Sequence, residues 1–139
     1  MNAEEKERLM ATLNRFFPDL QAVYLFGSSG TAHETLSSDV DIAILLPPAQ
    51  AASLKARNLF DARVAIEQQL RKDVDLINLR EANTVLRNEV VKDVRRIHCT
   101  DAYAADLFEM LTMSCYQKLN EERKDILAEI AASGRVLAS

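Results

Sequence analysis

The stretch QAVYLFGSSGTAHETLSSDVDIAILL (residues 21–46) contains two short apolar runs with a polar segment between them. The first run (21–26) is rich in β-prone residues and ends at a glycine, and the second (40–46) ends at two prolines. Both are therefore predicted to be buried strands. Asp39 and Asp41 stand at the start of the second strand. Because side chains alternate between the two faces of a strand, both carboxylates are expected on the same face.

A third predicted strand, DVDLINL (73–79), carries Asp73 and Asp75 with the same one-residue spacing. If this strand lies next to strand 40–46, three or four carboxylates meet at one end of a small sheet. Carboxylates so close together cannot all stay ionised without compensation. A divalent cation that prefers hard oxygen ligands, Mg²⁺ or Mn²⁺, would remove this conflict.

The Gly27-Ser28 pair follows the first strand and is suited to phosphate binding. Glycine lets the backbone approach a ligand closely, and the serine hydroxyl lies beside exposed backbone amides. A short helix beginning here would direct its positive N-terminal end at an anion. A lone Gly-Ser pair is usually only a turn, and a lone Asp-x-Asp is often a solvated strand entry. Their combination predicts a site for a metal–triphosphate complex, in which one ion activates the attacking oxygen and another stabilises the leaving group.

The remaining chain completes a small α+β domain. Helical spacing of apolar residues predicts helices on either side of the strands, including one helix over residues 49–71, which contain no glycine or proline. RRIHC (95–99) is a candidate edge strand. From Asp101 to about Ala132 there is no glycine or proline, which predicts one long helix of about 45 Å with Gly134 as its C-cap. We therefore expect a small mixed sheet flanked by helices over residues 1–100 and a helical extension over residues 101–139.

The composition narrows the class of function. The 139 residues are 48% apolar and 27% charged, which is typical of one folded domain. A net charge of −4 argues against a dedicated nucleic-acid binder and fits a small-ligand site, a metal site or a basic protein partner. The two cysteines have no metal-like spacing, the N-terminus is not a secretory signal, and no apolar run approaches the roughly 20 residues of a membrane span. A cytoplasmic location is expected.

The motif Gly-Ser, ten residues, then Asp-Val-Asp resembles the Gly-Ser-x10-Asp-x-Asp signature of the DNA polymerase β-like nucleotidyltransferase superfamily. The short chain and the VDLINL strand resemble its minimal nucleotidyltransferases, the MNT antitoxins of bacterial HEPN–MNT toxin–antitoxin pairs. The resemblance covers about residues 20–100, and the long C-terminal helix is compatible with it. It implies a polymerase β-like α+β fold.

The resemblance also implies the roles of individual residues. The turn would hold the nucleotide phosphates and the carboxylates would bind two Mg²⁺ ions, the third carboxylate also helping to deprotonate the acceptor hydroxyl. The residues implied are Gly27, Ser28 and Ser29 for the nucleotide, and Asp39, Asp41 and Asp75 for metal binding and catalysis. Asp73 shares the face of Asp75 and remains the alternative third carboxylate.

The activity implied by the resemblance is transfer of AMP from Mg-ATP to a tyrosine hydroxyl of a cognate HEPN ribonuclease toxin, which neutralises the toxin. One alternative is a non-catalytic antitoxin that masks the toxin by contact alone. Another is a nucleotidyltransferase that acts on a small molecule or an RNA end, although the acidic charge and the lack of a second substrate-binding domain weaken it.

Three features leave more than one interpretation. The segment SGTAHE (29–34) has no arginine where many minimal nucleotidyltransferases have an Arg-Ala-Arg-Gly-like stretch, and His33 is an uncertain substitute because a lone loop histidine is more often solvated. Arg87 could approach the nucleotide or the partner, or could be a solvated helix charge. A stripe on the last helix could pack in the core or contact a partner. The stripe consists of Tyr103, Phe108, Met110, Met113 and Tyr116.

Overall fold

The computed structural model describes residues 1–27, 39–92 and 95–133, which form a four-stranded sheet with helices on both faces. In chain order the elements are α1 (Ala3–Phe16), β1 (Ala22–Phe26), β2 (Val40–Leu45), α2 (Pro48–Ser53), α3 (Ala56–Leu70), β3 (Val74–Asn78), α4 (Thr84–Val91), β4 (Arg96–Cys99) and α5 (Ala102–Ser133). A short 3-10 helix, Leu79–Glu81, joins β3 to α4. The predicted strands and the α+β class are confirmed.

The sheet has the order β3-β2-β1-β4. β1 is antiparallel to both of its neighbours, and β2 and β3 are parallel. Because β2 and β3 are parallel, both begin at the same end of the sheet, and α2 and α3 form the crossover between them. This is the end at which β1 finishes, so the turn at Gly27 and the starts of β2 and β3 are brought together.

Each face of the sheet is covered by its own apolar cluster. On one face α1 and α3 pack against the strands through fully buried residues such as Leu9, Leu13 and Ile66. On the other face α4 and α5 pack against a cluster that includes Tyr24 and Phe108. All five residues of β1 are buried, which explains why this strand is a continuous apolar run without alternation.

The helix expected over residues 49–71 is two helices. Leu54 and Lys55 have extended backbone conformations and separate α2 from α3. The break leaves the carbonyl of Ala51 in α2 available to the side chain of Asn78, whose Nδ2 donates to it at 2.9 Å. The prediction of a single helix is wrong. The break is accompanied by a tertiary hydrogen bond, and no glycine or proline in this stretch of the sequence indicates it.

Only the first part of α5 packs on the domain. Its buried residues end at Thr112, whereas the helix continues to Ser133, a total of 32 residues or about 48 Å. Of the predicted stripe only Phe108 belongs to the core, and Tyr103, Met110 and Met113 are exposed. The predicted C-cap at Gly134 lies outside the described residues. Among those that are described, no helix is both apolar enough and long enough to cross a bilayer.

Candidate functional site

The predicted carboxylates meet at the end of the sheet where β2 and β3 begin. Asp41 in β2 is paired directly with Asp75 in β3 in the parallel register, so their side chains lie side by side on one face. Asp39 stands one residue before β2 and is exposed. The two Asp-x-Asp strands are therefore neighbours, which the sequence left as a condition.

The charges of these aspartates act on one another. Burial raises the pKa of the Asp41 carboxyl above its usual value, and the negative charges of Asp75 and Asp39 raise it further. A nearby cation, Arg95, lowers it. The carboxylates therefore form a region of incompletely compensated negative charge, which is the condition that a bound divalent cation relieves.

The turn after β1 lies against this acidic centre. Gly27 has a φ of +62°, in the left-handed region that favours glycine. A Cβ placed on Gly27 would lie 2.3 Å from Oδ2 of Asp41, so the backbone of the turn and the carboxylate are in direct contact. The two halves of the predicted site, the glycine turn and the second strand, are thus adjacent.

Arg95, which was not among the residues predicted for the site, reaches the same turn. The guanidinium Nη2 of Arg95 donates to the carbonyl oxygen of Gly27 at 2.9 Å. The backbone carbonyl of Arg95 accepts from the amide of Leu25 at 3.0 Å, which fixes the residue beside β1. The sequence signal for Arg95 was the predicted edge strand 95–99. Knowing that this strand pairs with β1 would have placed Arg95 beside the end of β1.

Asp73 occupies a different position from Asp75. Its carbonyl oxygen accepts from the amide of Val40 at 2.9 Å, which joins the starts of the two parallel strands. Its exposed side chain lines, together with Asp39, an open depression of about 520 Å³. The aspartate of this segment whose charge raises the pKa of Asp41 is Asp75, which favours Asp75 as the third carboxylate.

The carboxylates at this end of the sheet fit a cation that also keeps waters and substrate phosphates as ligands. Over residues 1–27, 39–92 and 95–133, no group of three or more His, Cys, Asp or Glu side chains could hold a metal ion by itself. Mg²⁺ is usually bound by one or two carboxylates together with waters and substrate phosphates, so a complete protein cage is not needed. Asp41 and its neighbours offer the hard oxygen donors for that arrangement.

Several predicted features lie outside the described residues. They are Ser28 and Ser29, the short helix expected to begin at Gly27-Ser28, and His33 with the rest of SGTAHE (29–34). Of the three residues predicted to contact the nucleotide, the structure therefore locates Gly27.

Arg87, for which the sequence left a nucleotide contact, a partner contact and a solvated position open, lies at the end of the sheet opposite the carboxylates. Its Nη2 donates to the carbonyl of Arg80, and Arg80 in turn donates to the Leu46 carbonyl and, at 2.8 Å, to the side chain of Gln21. Both guanidiniums lie over the ring of Phe108, at 5.4 and 5.7 Å from its centroid. Leu46 and Gln21 mark the ends of β2 and β1 that are far from the carboxylates, about 15 Å along the strands.

The fold is that of a nucleotidyltransferase, and residues 7–103 match the family described as Polymerase beta, Nucleotidyltransferase. The chain belongs to this family. Over 133 residues it is 32% identical to the protein adenylyltransferase MntA of Shewanella oneidensis, a match that covers 96% of this chain and 92% of that protein.

Solved structures agree with this family assignment. A toxin–antitoxin crystal structure with AMP-PNP matches with a TM-score of 0.74 and 31% identity, over 91% of this chain and 98% of that one. A complex of the tri-AMPylated Shewanella oneidensis HEPN toxin with an MNT antitoxin matches with a TM-score of 0.72 and 31% identity, over 94% and 99% of the two chains. The predicted membership among the minimal nucleotidyltransferases is confirmed.

Proposed function

We propose that this protein is an antitoxin that transfers AMP from Mg-ATP to a tyrosine hydroxyl of a cognate HEPN ribonuclease toxin and thereby neutralises it. The observation that carries the proposal is the register that places Asp41 beside Asp75, next to the turn at Gly27. The nearly full-length similarity to a protein adenylyltransferase supports the choice of reaction. Such a reaction suits a cytoplasmic protein, because ATP and a ribonuclease target are both found there.

In this reaction the acceptor oxygen attacks the α-phosphorus of ATP. The bond from the α-phosphorus to the bridging oxygen breaks, and pyrophosphate leaves with the electron pair. Two Mg²⁺ ions, when bound, would neutralise charge on the attacking and leaving oxygens. Asp39 and Asp41 would hold these ions, and Asp75 would complete one ion's site and accept the proton of the acceptor hydroxyl. Catalysis then rests on positioning and charge neutralisation.

The turn after β1 would hold the triphosphate. Gly27 lets the chain turn with a positive φ directly over Asp41, so its backbone can approach both a phosphate and a metal ligand. Ser28 and Ser29 would add a hydroxyl and backbone amides to the same phosphates. A side chain at position 27 would fill the space in which the metal and phosphate ligands have to meet.

The exposed part of α5 would contact the toxin. Residues 101–139 act in this proposal as a helical extension that packs on the domain through its first part and on the partner beyond it. Met110, Ile126 and Leu127 are between 56 and 61% exposed. Methionine and large aliphatic residues at exposed helix positions are typical of protein interfaces.

The proposal is tested by incubating the protein with labelled ATP, Mg²⁺ and a purified HEPN toxin encoded beside it. A mass increase of one or more AMP groups on the toxin and the loss of its ribonuclease activity are expected. Both should disappear on addition of EDTA and in the Asp41→Asn variant, which removes the charge but keeps the shape.

The matched control is Asp19→Asn, an exposed aspartate at the far end of the sheet whose side chain accepts a long bond of 3.4 Å from Gln50. It should transfer AMP like the unmodified protein. Transfer that persists in Asp41→Asn would overturn the metal assignment. Neutralisation of the toxin without any mass increase would instead establish masking by contact.

A further inference from the structure

The turn that follows β1 obtains its cation from a distant part of the chain. SGTAHE (29–34) contains no arginine, yet the guanidinium of Arg95 is bonded to Gly27 at the head of this segment. We propose that Arg95 is a nucleotide-binding residue, which holds the Gly27 peptide and at the same time binds a phosphate oxygen of the triphosphate. This inference rests on the proposed nucleotidyl transfer and assigns Arg95 as the residue that supplies positive charge to the nucleotide site.

The backbone positions Arg95 for this role. β4 is antiparallel to β1, and the pairing has an irregularity between Val23 and Tyr24 that shifts the register. Beyond it the carbonyl of Arg95 accepts from the Leu25 amide at 3.0 Å, and the side chain continues along β1 to the Gly27 carbonyl at 2.9 Å. Arg95 is therefore held both by its backbone carbonyl and by its guanidinium, beside the last residues of β1.

The charge around Arg95 explains why a cation is needed there. Asp39, Asp41 and Asp75 already repel one another, and a triphosphate brings further negative charge to the same place. A guanidinium carries five N–H donors in a planar fork, enough to bind a backbone carbonyl and phosphate oxygens together. Its hydrogen bonds to a phosphate are charge-assisted and about twice as strong as neutral ones.

A different role would be purely structural, in which Arg95 only ties β4 to the turn. Two substitutions separate the roles. Arg95→Gln removes the charge and keeps an amide donor on a shorter side chain, whereas Arg95→Lys keeps the charge. The matched control is Arg8→Gln, which removes the same charge from an exposed pair with Glu4 on α1.

The experiment measures the affinity for AMP-PNP with Mg²⁺ by calorimetry and the KM for ATP in toxin modification. We expect Arg95→Gln to weaken AMP-PNP binding and to raise KM by about ten- to a hundred-fold, the effect of losing one charge-assisted hydrogen bond. The kcat should change much less. Arg95→Lys should recover most of the affinity, Arg8→Gln should behave like the unmodified protein, and thermal unfolding should confirm that all variants are folded.

Three outcomes would overturn the role of Arg95. The first is unchanged AMP-PNP binding in Arg95→Gln. The second is an equal loss of AMP-PNP affinity in Arg95→Lys and Arg95→Gln, and the third is an Arg95→Gln protein that fails to fold. The last two indicate that Arg95 only ties β4 to the turn. An unmodified protein that binds no AMP-PNP would overturn the proposed function, and this inference with it. Binding by the unmodified protein with no effect of Arg95→Gln would remove only the assignment of Arg95.

Discussion

Replacing Gly27 by alanine should destabilise the protein by about 2–4 kcal/mol. The residue has a φ of +62°, and a side chain in this left-handed region costs about 1–2 kcal/mol. The added Cβ would also lie 2.3 Å from Oδ2 of Asp41. Relieving this overlap by rotating or displacing the carboxylate should cost about 1–2 kcal/mol more, in the lower part of the range for overpacking because a carboxylate can turn aside.

The loss can be measured by urea unfolding and by the melting temperature. In a chain of 139 residues, an entropy of unfolding of about 2.1 cal/mol/K per residue converts this range into a decrease in Tm of about 7–14 °C. The urea midpoint should fall with an unchanged m-value, because the folded and unfolded surfaces stay the same. Toxin modification should fall as well, since the carboxylate is displaced from its place.

A double-mutant cycle decides whether the contact with Asp41 is the cause. Asp41→Ala removes the carboxylate and leaves its Cβ at an ordinary 3.8 Å from the added methyl. In that background Gly27→Ala should cost only the backbone part, about 1–2 kcal/mol, so a coupling of about 1–2 kcal/mol is expected. Equal costs in the two backgrounds would refute the steric argument, and a Gly27→Ala protein as stable as the parent would refute both parts.

Three further predictions concern other parts of the molecule. The pKa of Asp41 is raised in the folded state, so its ionisation reduces stability as the pH rises from the unfolded pKa of about 4 through the folded value. In EDTA, the stability of Asp41→Asn relative to the parent should therefore increase between acidic and neutral pH. A stability difference between the two proteins that stays constant with pH would contradict this. Tyr24→Phe should lose about 1.5–3 kcal/mol in urea unfolding, because the hydroxyl donates to the buried carboxylate of Glu109 at 2.8 Å, whereas the exposed Tyr103→Phe should lose nothing measurable. Leu127→Asp should leave Tm unchanged and weaken the complex with the toxin in size-exclusion or calorimetric titration, and an unaltered affinity would remove the last turns of α5 from the interface.

The sequence predicted what depends on local pattern. The strands followed from apolar runs, and alternation along each strand fixed which of its aspartates share a face. That Asp41 lies beside Asp75 depended on the pairing of β2 with β3, which the sequence left conditional. Arg95 was missed because its place depends on the pairing of β4 with β1 and on an irregular register, which no local pattern encodes. The break at Leu54 was missed for the same kind of reason, since the bond that accompanies it joins Asn78 to a distant helix.

Arg87 shows what a local pattern leaves undecided. A basic residue at the start of a helix after the third strand was compatible with a nucleotide contact. The chain instead uses it, with Arg80, to cover the ring of Phe108 at the other end of the sheet. Tertiary packing decides whether a guanidinium faces a ligand or an aromatic ring, because the local sequence is compatible with either environment.

The bond between Gly27 and Arg95 spans 68 residues, which gives the site an order of assembly during synthesis. At about 5–20 residues per second a ribosome adds Arg95 about 3–14 s after Gly27. Until then β1 has no β4 partner, and the acidic centre lacks its guanidinium. A ribosome-bound chain that ends before β4 should therefore be unable to bind ATP tightly, and protection from a toxin made at the same time should not begin before β4 has been synthesised.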